Sequence, residues 1–173
     1  MIQTGEMSDE RVPGRPSRGA QAAMLLLLLV VCFGVEASAA LVTQPAVEGW
    51  YQGIAKPGWT PPDMAFPIVW TLLYLMMALA AWLAWRAAPR AASGALWPFF
   101  IQLALNASWS YAFFGFAQIA LGFVILLALV LAVLATMTAF AQRSATAAWL
   151  LVPYLLWIGY AAVLNGAILG LNA

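Results

Sequence analysis

The sequence contains no histidine. That removes the usual zinc ligand, the usual axial ligand of haem iron and the usual general base. Its single cysteine, Cys32, cannot form an internal disulfide and says nothing about redox compartment. Charge is equally scarce: 8% of the 173 residues are charged and the net charge is +1, whereas a soluble domain carries about 25% charged residues. With no basic face, nucleic acid is excluded as a partner. No Gly-rich phosphate loop follows a strand pattern, and no G-x-S-x-G occurs.

What the chain does have is apolar surface. The hydrophobic fraction is 65%, and five helices crossing a hydrocarbon core of about 30 Å use roughly 110 residues, a close match. The chain therefore reads as an all-α membrane protein, a five-transmembrane-helix bundle. Residues 1–19 are polar and broken by Gly5, Pro13, Gly14, Pro16 and Gly19, which predicts a disordered tail. Residues 20–173 form the transmembrane domain, with spans over about 20–41, 66–85, 95–116, 119–140 and 145–169. The first run carries two readings. Arg11, Arg15 and Arg18, then Met24–Phe33, then Ala37-Ser38-Ala39 imitate a cleavable signal peptide, but the apolar stretch continues to Val42, enough for a retained span.

The connections are short except for residues 42–64. Pro45, Pro57, Pro61 and Pro62 break that segment, while Trp50, Tyr51 and Trp59 give it aromatic bulk that a disordered linker rarely carries. It is expected to be a lid loop folded over the bundle mouth. With five spans, Arg11, Arg15, Arg18, Arg86, Arg90 and Arg143 share one side and Lys56 stands on the other. This asymmetry predicts a bacterial cell membrane with the N-terminus cytoplasmic. Trp82 and Trp85 beside Arg86 read as an interface belt.

Polar side chains inside spans are costly and tend to face the bundle interior. Gln102, Asn106 and Ser110 recur at helical spacing with Trp109 and Phe113 on the same flank. Interhelical hydrogen bonding and the polar floor of a ligand cavity explain that flank equally well. Tyr154, Trp157, Ala161 and Asn165 repeat the spacing after Pro153, and Trp70, Tyr74 and Met77 share a face of the second span. Taken singly, each aromatic stripe is read first as helix–helix packing, but Trp and Tyr carry donors that need partners when buried, and three such helices with an aromatic lid suggest a pocket of flat rings for a flat, largely apolar ligand. Glu36 is the one carboxylate inside a span, a functional candidate that also lies close enough to the interface to be structural. Gly166-x-x-x-Gly170 permits close helix approach.

The ordered set of motifs resembles the TspO/MBR family of tryptophan-rich sensory proteins and translocator proteins (peripheral benzodiazepine receptor). It comprises Trp50-Tyr51, Lys56-Pro57-Gly58-Trp59-Thr60-Pro61-Pro62, Phe66, Trp70, Tyr74, Gln102-Leu103-Ala104-Leu105-Asn106, Trp109, Phe113-Phe114-Gly115, Pro153-Tyr154, Trp157 and Leu164-Asn165. The resemblance implies the five-helix fold with its lid, a homodimer, and binding of porphyrin, haem or another lipophilic ligand, with no cofactor required. It implies a ligand-binding set of Tyr51, Trp70, Asn106, Trp109, Tyr154, Trp157 and Asn165 beneath a lid carrying Trp50, Lys56, Pro57, Trp59, Pro61 and Pro62. Three roles follow from it: a tetrapyrrole sensor or regulator, a transporter of porphyrins, and a light- and oxygen-dependent porphyrin-degrading enzyme. Members occur in outer membranes too. For the enzyme, Glu36 and Cys32 have no base beside them for conventional catalysis. The cholesterol motif of mitochondrial members is broken here, because Gly166 follows Leu164-Asn165 where that motif has an aromatic, and no basic residue comes after it.

Lacking histidine, the chain is expected to hold a porphyrin by its ring and edges rather than its metal. Haem and metal-free protoporphyrin should bind with similar affinity in a fluorescence titration, and a much tighter affinity for haem contradicts this.

Overall fold

In the computed structural model, which describes residues 16–87, 89 and 92–173, the chain enters its first helix at Ser17. The Ser17 hydroxyl accepts the Ala20 N–H at 3.2 Å, satisfying one of the free donors of the first turn. Helix α1 then runs Arg18–Glu48, and is followed by a short turn of helix α2 (Trp50–Gly53), α3 (Ala65–Ala87) and α4 (Ala92–Ser110). A π-helical turn, Tyr111–Gly115, continues α4, and α5 (Ile119–Ala141), α6 (Ala145–Trp149) and α7 (Val152–Leu171) complete the order. No strand occurs among the described residues.

Four helical stretches are long and apolar enough to cross a membrane among the described residues: Arg18–Glu48, Ala65–Ala87, Ile119–Ala141 and Ala145–Leu171. The chain is thus a multi-pass all-α membrane protein. Helix α4, expected as the third span, is not among the four. Its 19 residues include Gln102, Asn106, Ser108 and Ser110, which dilute its apolar character. It nevertheless packs along α5 and is the central element of the bundle's polar interior.

Three boundaries differ from expectation. Most of the expected tail, residues 1–15, lies outside the described residues, but Arg18 and Gly19 already form the first turn of α1. Residues 42–48, expected in the lid, belong to α1. Pro45 removes one backbone donor, yet Ala39 and Ala46 are buried on one face and Val42 lies against Gly115. Packing therefore carries the helix past the proline to Gly49, whose N–H closes onto the Ala46 carbonyl. The helix also crosses Ala37-Ser38-Ala39 without interruption, with Leu28 and Cys32 buried upstream. The third difference is at the last span, which breaks at Leu150–Leu151 because Pro153, near the start of α7, lacks the N–H that would continue α6.

Helices α1 and α3 are antiparallel neighbours. The Trp82 indole N–H donates to the Gln21 carbonyl at 3.0 Å, fixing the start of α1 to the end of α3. The Arg86 guanidinium lies 4.5 Å from the centre of the Trp82 ring. Phe99 stacks on Phe140 at 6.0 Å, pairing the start of α4 with the end of α5. Small residues set the closest approaches. A Cβ on Gly122 lies 3.0 Å from Phe113 Cβ and 3.1 Å from Asn165 Nδ2, and one on Gly166 lies 3.2 Å from the Phe123 ring. Gly166 thus serves packing within the chain, between α7 and α5.

Gly122→Val should lower the thermal unfolding midpoint in detergent, by the equivalent of about 1–3 kcal/mol, since Phe113 Cβ sits next to backbone and cannot swing away. An unchanged midpoint contradicts the close packing of α5 on the π turn and α7.

Candidate functional site

Beyond Glu36 the two antiparallel helices α1 and α3 part, and a cleft of about 560 Å³ opens between them, within the range of about 300–1,000 Å³ for small-molecule sites. Helix α1 supplies Glu36, Ala39, Ala40, Thr43, Gln44, Val47 and Glu48 as one wall. Phe66, Pro67, Trp70 and Tyr74 of α3 form the opposite wall, and Asn106, Trp109 and Ser110 of α4 with Phe114 form the floor. Gln52, Asp63 and Met64 stand at the mouth.

Asn106 is 1% exposed, and its amide is held from two sides. The Tyr74 hydroxyl donates to Asn106 Oδ1 at 2.6 Å, and Asn106 Nδ2 donates to the Tyr154 hydroxyl at 2.9 Å. One residue thus ties α3, α4 and α7 together inside an apolar bundle, where an unpaired amide is expensive. Each amide group has a second hydrogen-bonding position, so structural and ligand roles are compatible at this residue. Above it the Trp70 ring lies 6.0 Å from Trp109, 5.8 Å from Tyr74 and 6.2 Å from Tyr154. These separations suit edge and offset aromatic contact.

The expected ligand set divides between two spaces. Trp70, Asn106 and Trp109 face the cleft. Tyr51, Trp157 and Asn165 surround a separate void of about 20 Å³ on the α7 side, which Trp109 also borders. Phe66 and Phe114 stand between the two and line both. Tyr154 lines neither, and reaches the site through Asn106. Asn165 is 2% exposed and, among the described residues, neither of its amide atoms has a hydrogen-bond partner and the Trp109 indole N–H has no acceptor. Burial pushes the Tyr51 phenol up to about 12, with the Asp63 charge adding to the effect. Tyr51 is therefore a neutral ring at physiological pH and no base.

Long-range contacts hold the segment between α1 and α3 down. The Trp50 indole N–H donates to the Phe114 carbonyl at 3.0 Å, a carbonyl near the end of the π turn where helical partners run out. Lys56 Nζ donates to the Tyr51 carbonyl and lies 4.5 Å from the Tyr51 ring centre. Pro57 accepts both the N–H and the hydroxyl of Thr60 at its carbonyl, forming a turn just before Pro61 and Pro62. Trp59 is 47% exposed, but the Tyr160 hydroxyl donates to its carbonyl at 2.8 Å and the two rings lie 5.7 Å apart. At the chain end, Asn172 accepts the Ala55 N–H at 3.0 Å and donates to the Ala55 carbonyl at 2.9 Å.

The sequence model of the TspO/MBR family matches residues 25–171. The chain belongs to the TspO/MBR family. It is 39% identical to the tryptophan-rich protein TspO of Chlorobaculum tepidum, over 86% of this chain and 95% of that protein. To the tryptophan-rich sensory protein of Cereibacter sphaeroides the identity is 38%, over 87% and 92%. The human translocator protein is 39% identical over 67% of this chain and 70% of its own.

Sequence reasoning about this TspO/MBR protein missed several lining residues. Thr43, Gln44 and Glu48 were hidden because α1 was expected to end near residue 41. Asp63 and Met64 carry no helical periodicity to mark them. Asn172 lies past the last span, and nothing in its neighbourhood announces a clasp to Ala55.

Asn106→Leu should destabilise the protein by about 1–3 kcal/mol by stranding the Tyr74 hydroxyl. Adding Tyr74→Phe to that variant should cost little more, because the stranded donor is gone. Additive losses in a denaturation series contradict the hydrogen-bonded unit.

Proposed function

We propose that this protein is an integral membrane tetrapyrrole-binding sensor or regulator that holds a flat, apolar ligand in the cleft beneath the first interhelical segment. The observation that carries this reading is the convergence of the Trp70 and Trp109 rings over the Asn106 amide in a space of about 560 Å³. Flat rings offer a porphyrin stacking surface, and the amide fixes orientation. Names given to relatives, tryptophan-rich sensory protein and translocator protein, fit a protein whose work is recognition.

In this reading α4 with its π continuation, Tyr111–Gly115, is the third of five spans and completes that number, and residues 49–64 are the lid, pinned by Trp50, Lys56, Trp59 and Asn172. Tyr51 and Trp157, with the Asn165 amide, form a second layer behind Phe66 and Phe114. Arg18, Arg86 and Arg143 lie at one end of the bundle and Lys56 at the other, which supports a cytoplasmic N-terminus in a bacterial cell membrane. A second copy of the chain is the proposed partner, as the family resemblance implies.

Porphyrin added to the protein in neutral detergent should quench tryptophan fluorescence saturably. Trp70→Ala should weaken binding by about tenfold or more, the loss of roughly 1.4 kcal/mol of ring contact. Equal affinity in Trp70→Ala removes the cleft as the site, and absence of saturable quenching by any porphyrin removes the function.

A further inference from the structure

A second concavity, a groove of about 430 Å³, lies between α3 and α7. Val69, Leu72, Leu73 and Met76 form the α3 wall, and Leu156, Trp157 and Tyr160 continue the α7 wall from Pro153. The break at Leu150–Leu151 creates it. Helix α6 packs against α3, whereas α7 runs along α5 and meets α3 only sparsely. On the inner side two ring pairs bridge the gap, Phe66 with Trp157 at 6.1 Å and Trp70 with Tyr154 at 6.2 Å. The outer side is open, with Leu72 and Leu156 exposed at its rims. Ile68 and Leu75, a turn to either side of Leu72, and Val163, two turns after Leu156, continue the same exposed apolar surface.

We infer that this groove is a binding site for one acyl chain of a bilayer lipid, and that the seated chain braces Trp157 and Tyr160 and, through Tyr160, the lid. Both walls belong to stretches long and apolar enough to cross the membrane, so the groove opens on hydrocarbon, where no water is at hand to fill it. Among the described residues no charged or amide side chain lines it, and the Tyr160 hydroxyl is committed to the Trp59 carbonyl. The occupant that fits is a flexible hydrocarbon able to follow the seam. In the groove a chain touches protein on two walls at once, against one on the convex face of a single helix, and dispersion energy grows with the number of such contacts. The consequence reaches inward. Trp157 and Tyr160 line both the groove and the small void on the inner side. Their rings lie 5.9 Å apart, and the Tyr160 ring lies 5.7 Å from that of Trp59 in the lid. A chain in the groove therefore supports, from the lipid side, the rings that hold the lid down.

The test places the full chain in nanodiscs of phosphatidylcholine containing a trace of the same lipid with a photoreactive diazirine at mid-chain. After illumination, adducts are mapped by peptide mass spectrometry. They should concentrate on residues 69–76 and 153–160, about threefold or more above the α5 peptide that carries the exposed Leu121, Val124, Leu127 and Leu131. The variant Val69→Phe, Leu156→Phe fills the groove and should abolish the enrichment, while Leu127→Phe, Leu131→Phe on the open face of α5 should leave it. Thermal unfolding checks that both variants are folded. If the groove variant is not, Leu156→Phe alone, at an exposed position, should still reduce the enrichment. Labelling spread in proportion to exposure, or enrichment indifferent to filling in the folded variant, overturns the site. Amide hydrogen exchange over residues 54–60 reads the brace. Restoring phosphatidylcholine to protein stripped of lipid in a short-chain detergent should slow that exchange by about tenfold. In the filled variant it should be slow with or without lipid. Exchange that does not respond to lipid in the wild-type chain overturns the brace and leaves the chain site to the labelling result.

Discussion

An asparagine buried inside an apolar bundle has to be answered by other polar groups, and Asn106 is answered by tyrosines from two other helices. Tyr74 donates to its carbonyl and its amide donates to Tyr154. That relay fixes the rotation of α3, α4 and α7 about their own axes, since turning any one of them leaves a polar atom unpaired in an environment that punishes it. The aromatic positions follow from those rotations. Trp70 sits one turn before Tyr74, and Trp109 nearly one turn after Asn106, so fixing the polar pair brings the two indoles within 6.0 Å.

Helix α1 is held differently. It joins the rest through bonds spaced along its length: Gln21 with Trp82, Glu36 with Thr71, and Ser38 with Tyr111. Beyond Glu36 its inward residues are small or polar, among them Ala39, Ala40, Thr43 and Gln44. Small side chains cannot fill the space between two diverging helices, and the cleft is the result. The π turn at Tyr111–Gly115 shapes the other end. It presents Phe113 and Phe114 to the rings of Trp50 and Tyr51 and leaves the Phe114 carbonyl to hold the Trp50 indole. π-helical turns recur at functional sites because they break helical register.

Much of this was legible in the sequence. The span over α5 was readable to within a residue because no charged or amide side chain lies between Gln118 and Gln142, and the hydroxyls of Thr136 and Thr138 bond to carbonyls of their own helix. The Gln102–Asn106–Ser110 flank was identifiable because polar residues stand out on a membrane helix. Helical spacing could not say whether Asn106 faced a ligand or another helix, and the structure gives it tyrosine partners while leaving it on the cleft floor. Pro45 misled, since a proline in a polar-aromatic segment reads as a loop while long-range packing of Ala39, Val42 and Ala46 keeps the helix going. The acidic groups of the cleft lining were least visible as a set. Glu36, Glu48 and Asp63 are scattered over 28 positions of sequence, as their numbers give, and only the approach of α1 to the start of α3 assembles them.

A structure of the protein in a lipid nanodisc with a bound porphyrin is the most direct measurement. The expected result is ring density between α1 and α3, against Trp70 and Trp109, with the edge toward Asn106. Density on the α7 side beside Trp157 and Asn165, or on the lipid-facing surface with the cleft unchanged, contradicts it.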